Sequence, residues 1–211
     1  MNLRRFIPII VTAALLAGCS TLSPKPDLSQ SYLLGGLTAK VAPIPPPDPA
    51  LSLAINSPMV PDYLDRPQMF IRLPGGQVSV DEFHRWTESM GPGFSRVLAQ
   101  DIALLADSSH VAAFPVPPGF GQEFELSVQI LQFDGAPGGD VTLLAQWRIS
   151  GPGGKPNYYV PSRPSTFTRR AVPGVDPFVG YVNTLSALIG DLAREVVRSL
   201  PQAHAAKAAL R

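Results

Sequence analysis

The sequence predicts an α+β domain: one mostly antiparallel sheet with two amphipathic helices packed on one face, a single domain behind a proline-rich tether. Three observations predict it. Several segments alternate apolar and polar residues, the period of a half-buried strand, and two others repeat apolar residues every three or four positions, the period of a helix. Their order is strands, helix, strands, helix, which suits a sheet with helices on one side. The 24 prolines in 211 residues cluster between these segments and read as stiff connectors.

The chain opens with Met1-Asn2-Leu3-Arg4-Arg5 and an apolar run from Phe6 to Ala17, the layout of a signal peptide. The run is too short for a membrane span, which needs about 20 apolar residues. It ends in Leu16-Ala17-Gly18-Cys19, with the only cysteine of the chain. This box resembles the lipobox of bacterial lipoproteins. The resemblance implies that residues 1–18 are removed and that Cys19 carries a diacylglycerol thioether and an acylated amino group. One acyl chain anchors a protein only marginally, whereas several hold it firmly. Ser20 stands where lipoproteins kept in the inner membrane often carry Asp, so the resemblance favours the periplasmic face of the outer membrane. With its one cysteine lipidated, the chain has no intrachain disulfide.

Residues 19–48 read as a tether, with a short strand near 32–34 at Tyr32-Leu33-Leu34. The domain, residues 49–200, opens with a strand in which Leu51, Leu53 and Ile55 alternate. Met69–Leu73 and Gln77–Val80 form a hairpin around Pro74-Gly75-Gly76. From Asp81, the spacing of Phe83, Trp86 and Met90 predicts a short helical piece, a break at Gly91-Pro92-Gly93, and a helix to Ala106 carrying Phe94, Val97, Leu98, Ile102 and Leu105. Phe124, Leu126, Val128 and Ile130 alternate, and Leu131 and Phe133 then shift phase, which predicts a bulge near Ile130. Val141 to Ile149 returns antiparallel to it. Tyr158 to Ala171 is a strand that Pro161 and Pro164 confine to an edge or a bulge. Asp176 caps a last helix, Pro177 takes its first position, and Phe178, Val182, Leu185, Ile189, Leu192 and Val196 make its apolar stripe. Pro201 ends it, leaving residues 201–211 as a flexible tail.

Charge narrows the function. The chain has 17 basic and 16 acidic residues. Arg4 and Arg5 leave with the signal, so no basic excess points to nucleic acid. Gly93-Phe94-Ser95-Arg96-Val97 lacks the second glycine of a nucleophile elbow. Gly151-Pro152-Gly153-Gly154 lacks the spacing and ending of a phosphate loop. His84, His110 and His204 lack metal-ligand spacing. The reading is a non-enzyme with no metal and no cofactor beyond the lipid on Cys19.

Two stretches exceed what a fold requires: Tyr63-Leu64-Asp65-Arg66-Pro67-Gln68 and Arg85-Trp86-Thr87-Glu88. With Gln132-Phe133-Asp134 and Ala145-Gln146-Trp147 following in order, the chain resembles the PqiC-type auxiliary lipoproteins of ABC transport systems with an MCE-domain partner. Ser89, where a proline is usual, and the Gly91-Pro92-Gly93 insert depart from the pattern. The resemblance implies an outer-membrane adaptor for lipid traffic that docks a PqiB-like MCE-domain protein and its membrane complex, supports envelope integrity, and allows a ring of copies as a homo-oligomer. Read as residues, Asp65 and Arg66 form a local ion pair or turn caps, or else meet a partner. Tyr63 and Leu64 serve core or interface, Trp86 the core, and Arg85 and Glu88 a solvated or turn-bracing face. The competing functions are a lipid-carrying module with a pocket between sheet and helices and an outer-membrane assembly lipoprotein.

Overall fold

The computed structural model describes residues 26–210 apart from 39–40, 155–157 and 173–175. The signal segment, Cys19 and Ser20 lie outside the described residues. Within them the order is β1 (Gln30–Tyr32), β2 (Ser52–Ile55), β3 (Gln68–Arg72), β4 (Val78–Trp86), α1 (Met90–Ala106), β5 (His110–Ala113), β6 (Phe124–Gly135), β7 (Asp140–Ser150), β8 (Tyr158–Arg170) and α2 (Pro177–Ala209).

The α+β class stands, but the strands make two mixed sheets instead of one mostly antiparallel sheet. The larger has the order β5-β2-β6-β7-β8 and the smaller β1-β4-β3. β2 is parallel to both β5 and β6, and β1 is parallel to β4. These strands are three or four residues long apart from their longer partners, too short for a sequence pattern to reveal pairing direction. The β6–β7 hairpin follows its sequence pattern closely. Its register shifts between Ile130 and Gln132, which leaves Leu131 39% exposed and returns Phe133 to the interior at 1%.

Both helices cover the inner face of the larger sheet. Phe94 of α1 meets Phe133 of β6 edge-on at 5.5 Å. Trp147 of β7 is buried there, and its indole N–H donates to Ser165 Oγ at 3.0 Å; that hydroxyl donates in turn to Glu195 Oε1 of α2 at 2.8 Å. A buried indole thus keeps its hydrogen bond without a water. Phe124, Leu126, Ile130, Leu185, Ile189 and Leu192 are all at most 1% exposed. Each such side chain contributes roughly 1.5–3 kcal/mol by leaving water.

Three further expectations fail. Residues 81–86 are strand. β4 pairs with β3 through Val78–Asp81, bulges at residues 82–84 on that side, and pairs with β1 through His84–Trp86. Asp81 Oδ1 accepts the N–H groups of Phe83 and His84, each at 2.9 Å, so the bulge keeps its backbone satisfied without a helix. The bend produced the helix-like spacing of Phe83 and Trp86. α1 also has no break: it runs from Met90, with Pro92 at its third position, where an N–H would have no intrahelical partner.

α2 continues through Pro201 to Ala209, so residues 202–209 are helix and not a flexible tail. An interior proline costs about 3 kcal/mol, and contacts beyond it offset that. Ala203 is fully buried, His204 Nε2 lies 2.7 Å from Asp48 Oδ2, and Lys207 Nζ lies 2.9 Å from Glu123 Oε2. The described part of the tether likewise lies against the domain. Leu34 is buried, Gly35 N–H donates to Ser186 Oγ and Leu37 N–H to Asp101 Oδ1. Ile44 and Asp48 donate to the carbonyls of Leu105 and Ala106 at 2.8 and 2.7 Å, satisfying two acceptors that the C-terminus of α1 leaves open.

Candidate functional site

The two motif stretches meet in space. Trp86 N–H donates to the Pro67 carbonyl at 2.6 Å and Thr87 N–H to the Tyr32 carbonyl at 2.9 Å. The end of β4 is thereby tied to the loop before β3 and to β1. Asp65, Arg66, Pro67, Trp86 and Glu88 line one cleft of about 320 Å³. Asp65 also borders a second, of about 370 Å³, with Val60, Pro92 and Phe114.

The loop holds its shape by plain turn chemistry. Leu64 N–H donates to the Pro61 carbonyl at 2.9 Å and Asp65 N–H to the Asp62 carbonyl at 3.3 Å. Leu64 is buried as a plug, 4% exposed. Tyr63 is half-buried, packs on Phe70 with ring centroids 4.6 Å apart, and donates its hydroxyl to Asp134 Oδ2 at 2.8 Å. Tyr63 and Leu64 therefore belong to the framework, whereas Asp65, Arg66 and Pro67 are exposed. The anticipated Asp65–Arg66 ion pair is absent: neither side chain has a hydrogen bond or ion pair among the described residues.

The second motif is mostly bracing. Glu88 Oε1 takes Arg96 Nη2 at 2.6 Å, and the same nitrogen reaches the Leu34 carbonyl at 2.9 Å. Glu88 sits just before α1, where a negative charge suits the helix dipole. It lies close over Gly93, where an added Cβ would come within 2.7 Å of Glu88 Oε1. Arg85 donates to the Glu82 carbonyl at 2.9 Å and Gln68 to Glu82 Oε2 at 3.3 Å. Trp86 is half-buried against the core. His84 lies flat on Phe178, ring centroids 3.5 Å apart, with Tyr32 at 5.8 Å. This stack fastens the small sheet to the start of α2.

Sequence reasoning missed the strongest polar centre. Asp134 is fully buried where the two sheets meet. Its carboxylate accepts Arg72 Nε at 2.6 Å, Arg72 Nη2 at 2.7 Å, Gln132 Nε2 at 2.9 Å and the Tyr63 hydroxyl. Such bidentate, charge-assisted bonds offset the desolvation of a buried carboxylate. Burial, then the hydrogen bond to Asp134, pushes the Tyr63 hydroxyl up to about 12, so Tyr63 remains a donor at any physiological pH. Asp134 holds Arg72's proton even more firmly than usual. The signal was present: Gln132-Phe133-Asp134 places a carboxylate inside a strand, where burial without a partner is costly.

A fourth group is Asp101 of α1, 1% exposed. One carboxylate oxygen takes Leu37 N–H at 2.6 Å; Oδ2 has no partner among the described residues. Burial pushes the group up to about 6. No cluster of three or more His, Cys, Asp or Glu among the described residues could hold a metal ion. No described helix is long and apolar enough to cross a membrane.

Solved structures share this fold. Protein XCC0632 from Xanthomonas campestris, of family DUF330, aligns over 83% of this chain and 97% of its own, at 14% identity and a TM-score of 0.64. An uncharacterized protein aligns over 82% of this chain and 98% of its own, at 17% identity and a TM-score of 0.63. No curated protein matches the chain. Residues 32–197 match the model of the ABC-type transport auxiliary lipoprotein component, a family of transport components and not of enzymes. The match starts at Tyr32 of β1 and ends within α2, so it takes in both sheets, α1 and all four motif stretches, and the chain belongs to the ABC-type transport auxiliary lipoprotein component family.

Proposed function

We propose that this chain is the adaptor lipoprotein of an MCE-type lipid transport system, held at the periplasmic face of the outer membrane by the acyl chains on Cys19. It docks a PqiB-like MCE-domain protein through the Asp65–Arg66 loop. One contrast carries the reading: within the motif, Tyr63 and Leu64 are consumed by the framework, while Asp65 and Arg66 stand exposed without a side-chain partner among the described residues. An adaptor needs charges of this kind, solvated until a complementary surface meets them, because they set register and partner choice. The clefts on either side of Asp65 give a partner side chain somewhere to enter. The family membership supports work alongside an ABC-type transporter.

The test is copurification. The tagged full chain, extracted from membranes in mild detergent, is expected to bring down an MCE-domain protein. Reversing both charges, Asp65→Lys with Arg66→Glu, lowers that recovery about tenfold or more and leaves the fold intact. Equal recovery by the charge-reversed chain sinks the docking site. Recovery of the chain alone, under conditions that keep the MCE assembly whole, sinks the adaptor function. Cys19→Ala releases a folded protein from the membrane; its continued sedimentation with outer membranes would overturn the anchor.

A further inference from the structure

Beside the C-terminal ends of both helices lies a cavity of about 440 Å³, within the range of about 300–1,000 Å³ typical of small-molecule sites. One wall is the strap of Ile44 and Pro45-Pro46-Pro47; the other is Val197, Leu200 and Pro201 of α2, with Ala106 of α1 between them. The strap is pinned at both ends by the Ile44 and Asp48 N–H bonds to α1 carbonyls. Between these pins stand three prolines, none of which has an N–H. The α2 wall includes a fourth proline. These walls therefore present hydrocarbon and leave few backbone donors to be stranded by an apolar occupant.

The polar lining is asymmetric. Asp48 and His204 satisfy each other at 2.7 Å. Arg198 is exposed and has no hydrogen bond or ion pair among the described residues. A donor-poor apolar cavity beside one uncommitted guanidinium matches a particular chemistry: an acyl chain ending in an anion. We propose that this cavity binds one acyl chain of an anionic amphiphile, with Arg198 meeting its carboxylate or phosphate. Bidentate oxyanion binding is what the planar guanidinium does best. The site shares no residue with the Asp65–Arg66 cleft and does not depend on the docking function.

The experiment uses the full lipidated chain in phosphatidylcholine nanodiscs. The probes are a palmitate carrying a terminal diazirine and a phosphatidylglycerol carrying the same photoreactive chain. After irradiation, mass spectrometry is expected to place the adducts within residues 44–48 and 197–204, and unlabelled palmitate to compete. Arg198→Glu lowers adduct yield about tenfold, the scale of a lost charge-assisted hydrogen bond. Val197→Trp fills the cavity and removes the adducts. Arg198 is exposed and has no partner among the described residues, so its variant keeps the test valid even if the tryptophan perturbs folding. Labelling by palmitate alone identifies a free fatty acid, and labelling by both probes a phospholipid chain; either supports the site. Adducts scattered over the chain, adducts that palmitate does not compete, or an Arg198→Glu yield equal to wild type overturns it.

Discussion

Two acidic residues from the family motifs meet opposite fates. Asp134 is fully buried and takes hydrogen bonds from Arg72, Gln132 and Tyr63. Asp65 is exposed and takes none from a side chain among the described residues. Only a group whose partners are already supplied can be framework. Asp134 joins β3 to β6 where the two sheets meet, and Asp65 is the charge that the docking proposal needs. The motif is therefore two devices in one stretch, with Tyr63 turned inward to Asp134 and Asp65 turned outward two positions later.

The sharpest way to break that distinction is to strand Asp134. Arg72→Ala leaves a carboxylate at 0% exposure with only Tyr63 and Gln132 as donors, and should destabilise the protein by about 3 kcal/mol. Asp134→Ala should cost less, about 2 kcal/mol, because the freed Arg72, 38% exposed, can turn its charge toward water. The double variant Arg72→Met with Asp134→Leu removes both charges and should be less harmful than either single change. Urea unfolding of all three checks the order. If Arg72→Ala were the mildest, Asp134 would not be the charge that matters at this junction.

How far the residues themselves announced this follows the same division. The β6–β7 hairpin, its bulge and the Asp176 cap of α2 were legible because they are local: alternation, one phase slip, and a carboxylate accepting Phe178 N–H at 2.8 Å. What depends on distant partners was not. β4 imitates a helix because it bulges at residues 82–84, between two stretches of pairing with β3. α2 passes Pro201 because His204 and Lys207 find Asp48 and Glu123. The site divides likewise. The motif residues were recognisable as a group, but which of them face inward depends on Arg72 and Asp134, which lie 62 positions apart.

Asp101 is the intermediate case, buried like Asp134 but with one oxygen unpartnered. Burial raises it to about 6 from an ordinary value of 3.8; the hydrogen bond from Leu37 N–H and, after it, the charge of Arg194 oppose this only in part. The folded state therefore keeps this proton over a range where the unfolded chain has lost it. Stability from this group falls as pH rises from about 4 to about 6 and is level above that. Asp101→Asn removes the loss. The variant should match wild type near pH 4 and exceed it by about 1–2 kcal/mol at pH 7. Urea unfolding of both proteins across that range gives the difference. Parallel profiles would mean that water or motion of the Gly35–Leu37 segment satisfies the second oxygen.

The smallest expected effect bears on the other side of the comparison. Asp65→Lys with Arg66→Glu changes two exposed side chains that touch no described partner. Substitutions of that kind stay within about 0.5 kcal/mol. The backbone of the loop should be indifferent, because its bonds come from the N–H groups of Leu64 and Asp65 and the carbonyls of Pro61 and Asp62. A thermal melt superimposed on that of wild type is the predicted result. Its value lies in the pairing with copurification: loss of the partner at unchanged stability means the charges were kept for contact. A clear drop in melting temperature would instead make Asp65 and Arg66 part of the brace. The motif would then be a single framework device, and the docking surface would have to lie elsewhere on the domain.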